Sequence, residues 1–475
     1  MANKLFSYAD CSPIKKEKED SKDQDYFLEY AQLFAKTDKI FRLSKSKEHS
    51  LNISENPFAY YKDGNVWTGR WIGQVQFTPR GEKQPVNIEI KPRFGESSVF
   101  AMIEEAFSCN IVDNRGESKS SKKTTSLIER LIPFMWMHKL SAANLYGVPH
   151  ANISVYHKGI SIKGRLDVRK SIFPLFREGL VVSVKREKQI DEPISQIILQ
   201  AYKKLNKNKM LQNRLTDNAE NALNALESAN YPLRHITENE YRKIHYKPIY
   251  VQYKDVVDFS WQILNSHVAE SEGNKKSLSG FLDMAEIWEI YLRSIFRKNF
   301  AELGWTVESP EINVYEETFW SRNIVPDIVM TKGNDVVVFD AKWKKMAGTH
   351  EDVAHSDLDR SDFFQIHSYI SYYKSLGKRV VLAGLLYPLE DDGQKVNKDF
   401  LEQIKEKGMV DSNLWGEDDS TKFVVSGILL KKQPEGIDEN GDGEEYKKYK
   451  KDIENAEKAF VEAFIARIKE LLHEK

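Results

Sequence analysis

Residues 324–345 read IVPDIVMTKGNDVVVFDAKWKK, and the fold of the chain turns on this stretch. Pro326-Asp327 opens one apolar run, Gly333-Asn334 supplies a turn, and VVVFDAK forms a second run. The pattern predicts a hairpin long enough to bring Asp327 alongside Asp340. Asp340 and Lys342 are two residues apart, so on a strand both side chains leave the same face. Two carboxylates at one point repel and raise each other's pKa unless a divalent cation lies between them. An oxygen-rich, octahedral ligand set suits Mg2+ or Mn2+. A lysine facing the same point can position or deprotonate an attacking water and offset charge building on a phosphate. These parts predict metal-assisted hydrolysis of a phosphodiester. A D-x-K triplet alone says little in a chain that is 30% charged, where an ordinary strand end would also carry it. The weight lies in a PD at one strand start and, twelve residues on, an apolar run ending in DAK.

The flanking segments add to this. In FLDMAEIWEIYLRSIFRKNF, positions 281, 284, 285, 288, 292, 295 and 296 form one stripe at about 100° per residue, which predicts a helix over 281–302. Glu289 lies at the edge of that stripe, where a third metal ligand can originate; Glu286 points further towards solvent. Downstream, Asp362, Gln365 and Tyr369 share one face of a helix expected over 361–376. An amide and a phenol there can bond phosphate oxygens or order the lysine. Strands are expected at 305–315, 324–331, 334–342 and 379–387, giving a compact α/β unit over 280–432. An amphipathic helix is expected within 445–475.

Taken together these residues resemble the PD-(D/E)xK nuclease superfamily, with its order E…PD…DxK…QxxxY. Within it the chain is most similar to the McrC family, nuclease subunits of McrBC-type modification-dependent (5-methylcytosine) restriction systems, and to LlaJI-like relatives. The resemblance carries Glu289 of the WE-x-Y helix, Asp327 of PD, Asp340 and Lys342 of DAK, and Gln365 with Tyr369 of QxxxY. It implies an α/β C-terminal restriction-endonuclease-like core and an N-terminal β-rich and helical adaptor. It also implies Mg2+ (or Mn2+) held by Asp327, Asp340, the Ala341 carbonyl and Glu289. The implied partners are DNA and a McrB-like AAA+ GTPase hexamer, which the chain would stimulate. The match is good over about 280–390. Upstream, IEIKPRFG (88–95) and IKGRLDVRKSI (162–172) look like the family's N-terminal β-rich region, so 26–190 is expected to dock the partner. Two other readings stay open: a nuclease of the same fold working in DNA repair without a GTPase, and a non-catalytic assembly factor.

The rest of the 475 residues sets bounds. Length alone predicts two or three domains. With 41% hydrophobic residues and two cysteines, sizeable cores are expected and a disulfide or cysteine-zinc scaffold is not. No run of eighteen apolar residues exists and the N-terminus lacks a secretory pattern, so a cytoplasmic chain without a membrane span is expected. Net charge is −1, yet 151–210 holds 13 Lys/Arg against 5 Asp/Glu, a surface that can face DNA, a partner or only solvent. Residues 1–25 are expected to be a mobile tail and 191–270 a helical connector. Residues 113–125 read as a linker. DENGDG at 438–443 begins like a calcium loop, but the twelfth position is Tyr449 rather than glutamate. No G-x-x-x-x-G-K-[ST] occurs, so nucleotide hydrolysis is not expected of this chain. His350, His355 and His367 lie near the expected site and read as solvated. Trp67, Trp71 and Phe77 can stack on bases but read better as sheet packing.

Overall fold

A computed structural model describes residues 5–15, 22–36, 58–62, 64–107, 127–206, 211, 215–265, 268–271, 275–278, 280–315, 323–344, 360–390, 398–414, 421–433 and 444–473. Mixed α/β structure runs throughout. The chain forms two compact units, residues 1–124 with 269–475, and residues 125–268. No described helix is long and apolar enough to cross a membrane.

The first unit holds two main sheets, and element labels run along this unit. Strands β1 (Leu5–Ala9), β2 (Trp71–Phe77), β3 (Val86–Lys91) and β4 (Gly280–Asp283) pair in the order β1-β3-β2-β4. In β3 the alternation predicted from Val86, Ile88 and Ile90 is seen: these three are buried and their neighbours less so. Helix α1 (Asp23–Lys36) presents Phe27, Tyr30, Ala31 and Phe34, spaced i, i+3, i+4, i+7, to an aromatic core with Phe58 and Phe281. Trp71 meets Phe34 edge-on at 5.1 Å and Phe77 meets Tyr30 at 5.0 Å, so these two rings pack. Trp67 is half-buried beneath the Lys62 ammonium.

Two expectations need correction here. Residues 5–9, placed in a mobile tail, form a strand parallel to β3, with Leu5 opposite Asn87 and Ala9 opposite Lys91. Only Phe6 of the five is fully buried, so side-chain periodicity gives no signal and main-chain pairing makes the strand. The helix expected from 281 begins at Met284, as α3 (Met284–Phe300), after helix α2 (Glu96–Phe107) in chain order. Residues 280–283 instead pair antiparallel with Trp71–Gln74. Phe281 fits the helical stripe only because it is buried for another reason, and the Asp283 carboxylate caps the helix by accepting the Ala285 N–H at 3.0 Å.

The second sheet contains β5 (Thr306–Glu308), β6 (Ile328–Lys332), β7 (Asp335–Ala341), β8 (Arg379–Glu390), β9 (Met409–Asn413) and β10 (Lys422–Leu430), ordered β5-β6-β7-β8-β10-β9. Strands β6 and β7 form the antiparallel hairpin expected from the sequence, turning at Gly333 with φ +61°. Strand β7 then pairs parallel with β8, the connection passing through α4 (Arg360–Ser375). A central parallel strand is covered on both faces, and β8 is accordingly an almost unbroken apolar run. Helix α5 (Glu444–Leu472) sets Phe464 against Phe296 of α3 and Phe339 of β7. The strands expected at 305–315 and 324–331 are each split in two. The second breaks around Pro326, which has no N–H to continue a ladder.

The second unit, residues 125–268, combines an antiparallel sheet of His150–Gly159, Val181–Ile190 and Arg165–Leu166 with helices. The helices Leu127–Ala143, Glu192–Leu205, Asp217–Ser228 and Tyr253–Asn265 enclose Trp136, Ile197, Ile198, Leu223 and Val257. Residues 127–190 thus share a unit with 191–265. Strand Val181–Ile190 runs directly into Asp191, whose side chain caps the next helix, and no linker intervenes. The 113–125 linker and DENGDG lie outside the described residues.

Candidate active site

The hairpin register sets the geometry. Ile328 lies opposite Phe339, so one step further Asp327 faces Asp340 across the strands. The Ala341 N–H donates to Asp327 Oδ2 at 2.7 Å, fixing that carboxylate against the end of β7. Arg293 Nε donates to the Asp327 carbonyl at 2.9 Å and Ser309 Oγ to the Pro326 carbonyl at 2.9 Å, so the PD turn is held on both sides. Asp340 is wholly buried, and its Oδ1 accepts no N–H. Its Oδ2 is in ion-pair contact with Lys342.

Charge accumulates here. Burial, then the neighbouring charges of Asp340 and Glu289, raise the Asp327 carboxyl well above the usual carboxylate range, against the Ala341 N–H. Burial also raises Glu289 to about 7; Arg293 opposes this, while Asp283, Glu286 and Asp340 add to it. Lys342 shows the opposite balance. Burial alone would lower it, but Asp340, Asp362 and Asp327 more than offset that and hold the ammonium protonated.

A chain of hydrogen bonds orients that ammonium. Lys342 Nζ donates to Gln365 Oε1 at 2.8 Å, Gln365 Nε2 donates to the Tyr369 hydroxyl at 2.8 Å, and that hydroxyl donates to the Val325 carbonyl at 3.1 Å. The i, i+4 spacing of Gln365 and Tyr369 on α4 makes this relay possible. Asp362, three residues before Gln365 and buried, stands 3.3 Å from Lys342 and also pairs with Lys344.

Asp327, Asp340, Lys342, Gln365 and Tyr369 are therefore brought together, and Glu289 is near enough for its charge to be felt. Sequence reasoning put Asp362 on the right face but gave it no role, and it missed Arg293, whose signal was its position four residues after Glu289. His367 bonds the Phe363 carbonyl within its own helix and lies tilted against the Phe363 ring. His350 and His355 lie outside the described residues.

The donor set fits a hard divalent cation. Its atoms are carboxylate oxygens, two of its carboxylates face each other, and the buried Asp340 Oδ1 accepts no N–H. Among the described residues no three His, Cys, Asp or Glu side chains form a ready cage. The protein's share would thus be two carboxylates and a carbonyl, with Glu289 adding negative field, as suits an ion that keeps several waters.

A family model for McrBC 5-methylcytosine restriction system components matches residues 66–388, a span that includes every residue of this site. The chain belongs to the McrBC family. Two solved assemblies are similar to this McrBC-family chain. One is a half-complex from a tetradecameric assembly of Thermococcus gammatolerans McrB AAA+ hexamers with bound McrC; the similar chain is 15% identical, with a TM-score of 0.44 over 95% of this chain and 99% of the other. The other is the Thermococcus gammatolerans McrBC complex, 12% identical, with a TM-score of 0.31 over 62% and 88%. Among curated proteins there is no match.

Proposed function

We propose that the chain is the DNA endonuclease subunit of a McrBC-type restriction system, built on a PD-(D/E)xK core. In this reading it hydrolyses phosphodiesters with Mg2+ and both works with and stimulates a McrB-like AAA+ GTPase hexamer. One observation carries the nuclease reading: Asp327 and Asp340 face each other beside an oriented, protonated Lys342, and the buried Asp340 Oδ1 accepts no N–H. Membership of the McrBC family supports DNA as the substrate. The absence of a phosphate-binding G-x-x-x-x-G-K-[ST] motif supports a separate chain as the motor.

Asp327, Asp340 and the Ala341 carbonyl would hold the cation, with Glu289 adding charge. When bound, the ion supplies a lowered pKa for a bound water and polarisation of the phosphoryl oxygen. The chain's own residues do the positioning. Lys342, aimed by Gln365, holds the attacking water and sets positive charge where the phosphate gains negative charge. Asp340 and Asp362 keep its ammonium protonated, which favours this electrostatic role over proton abstraction. Tyr369 fixes the Gln365 amide so that its oxygen, not its nitrogen, faces the lysine.

The test is cleavage of modified plasmid with Mg2+, with and without the partner GTPase and GTP, for wild type, Asp340→Ala and Lys342→Ala. Cleavage by wild type that needs partner and GTP and is lost in both variants is expected. Inert wild type and variants that all still stimulate GTP hydrolysis would make the chain an activator and overturn the nuclease assignment.

A further inference from the structure

The segment IEIKPRFG and the residue after DAK are not used by the proposed chemistry, and they meet in one buried cluster. The Trp343 indole N–H donates to Asp10 Oδ2 at 2.7 Å. Asp10 Oδ1 accepts the Arg93 main-chain N–H at 2.6 Å, and the Arg93 guanidinium lies 3.6 Å from Oδ2. That guanidinium stacks over both Trp343, at 4.8 Å, and Phe94, at 4.9 Å. Asp10 and Arg93 are 0% and 2% exposed at the side chain, so the contact is shielded from water.

Each member is fixed from behind. The Asp10 N–H donates to the Lys91 carbonyl. The Phe94 carbonyl accepts both the Gln433 N–H at 3.1 Å and the Tyr449 hydroxyl at 2.8 Å. Gly95, at φ +93°, closes the turn where a Cβ would come within 2.3 Å of Gln433 Oε1. Trp288 packs on Trp343 at 5.7 Å and donates to the Leu386 carbonyl, which also accepts the Lys342 N–H. The strand end carrying Asp340, Ala341 and Lys342 is therefore paired with β8 and anchored, one residue on, to the sheet formed by β1 and β3.

We propose that Asp10, Arg93 and Trp343 are positioning residues that lock the end of β7, so that Asp340 and Lys342 keep the spacing hydrolysis requires. The inference rests on the nuclease reading for its functional half and on the buried contacts for its structural half. The pairing of β7 with β8 ends at the Lys342 N–H bond to Leu386, and one residue on the Trp343–Asp10 bond holds the chain. Misplacing a reacting group by about 1 Å costs on the order of a hundredfold in rate.

The test uses the full chain with two shape-preserving variants, Trp343→Phe and Asp10→Asn, so that one remains if the other does not fold. Hydrogen exchange should be about tenfold faster at Ala341 and Lys342, while amides of α4 and of β8 upstream of Leu386 keep wild-type protection. Cleavage should fall about ten- to a hundredfold and require more Mg2+ for half-maximal rate. Unchanged exchange at Ala341 and Lys342 in the folded variants overturns the proposal, as does a uniform rise across the sheet, which marks mere loss of stability. Wild-type cleavage and Mg2+ dependence in Trp343→Phe overturn it while leaving the nuclease reading standing. If wild type does not cleave at all, the nuclease reading fails, and exchange alone decides whether the cluster holds the strand.

Discussion

Asp340 is wholly buried, opposite Asp327, and its Oδ1 accepts no N–H. Its charge is offset by the Lys342 ammonium on one side and stands beside the Asp327 carboxyl on the other. Asp340→Asn should abolish cleavage and, by leaving the Lys342 ammonium with Asp362 as its remaining acidic partner, destabilise the metal-free protein by about 1 kcal/mol, read as a lower urea midpoint in chelator. Gln365→Leu acts differently. It leaves the carboxylates intact and frees Lys342 from its acceptor, so the cleavage rate should drop about ten- to a hundredfold with an unchanged Mg2+ requirement. A shifted Mg2+ requirement would instead place Gln365 on the metal. The core of this site was readable because Asp327, Asp340 and Lys342 lie within one hairpin, where spacing alone sets their register. Asp10 was not: it meets Trp343 across 333 residues of sequence, and no local pattern records such a contact.

At the scale of packed elements, helix α5 carries a half-buried carboxylate, Glu457. Glu457 accepts the Tyr291 hydroxyl at 3.2 Å, and burial followed by the Glu105 charge raises its pKa to about 7. Lys298, which bonds Glu105, offsets part of this. A folded-state pKa above the unfolded value means the native state binds the extra proton between them. Stability from this group is thus highest at acid pH and is lost as pH rises from about 4.5 through about 7. Glu457→Gln should flatten that decline and leave the variant more stable at pH 8 by about 1–3 kcal/mol, measured by urea unfolding from pH 5 to 8. An identical pH slope in variant and wild type would contradict it. At this scale the hairpin strands were legible from their apolar runs and the Gly333-Asn334 turn, and α4 from the shared face of Asp362, Gln365 and Tyr369. Strands β1 and β4 were not, since each exists through main-chain pairing with residues remote in sequence, and Phe281 mimicked a helical position while packing from a strand.

The whole molecule is built from one continuous and one discontinuous unit. Residues 125–268 enclose their own core, so this fragment should fold alone with a single cooperative thermal transition by circular dichroism. Residues 269–475 alone should not, because β4 would lose Trp71–Gln74 and Trp343 would lose Asp10. A cooperative transition in the 269–475 fragment would show that the N-terminal segment is dispensable. The division expected from sequence, an adaptor followed by a nuclease domain, missed that the first hundred residues and the last two hundred share a unit. Whether Asp327 and Asp340 form a divalent-cation site is decided by calorimetric titration of Mn2+, with DNA present, into the full chain and into Asp340→Asn. Wild type should show a binding event that is lost in the variant. Equal binding by both, or none by wild type in the presence of DNA, would contradict it.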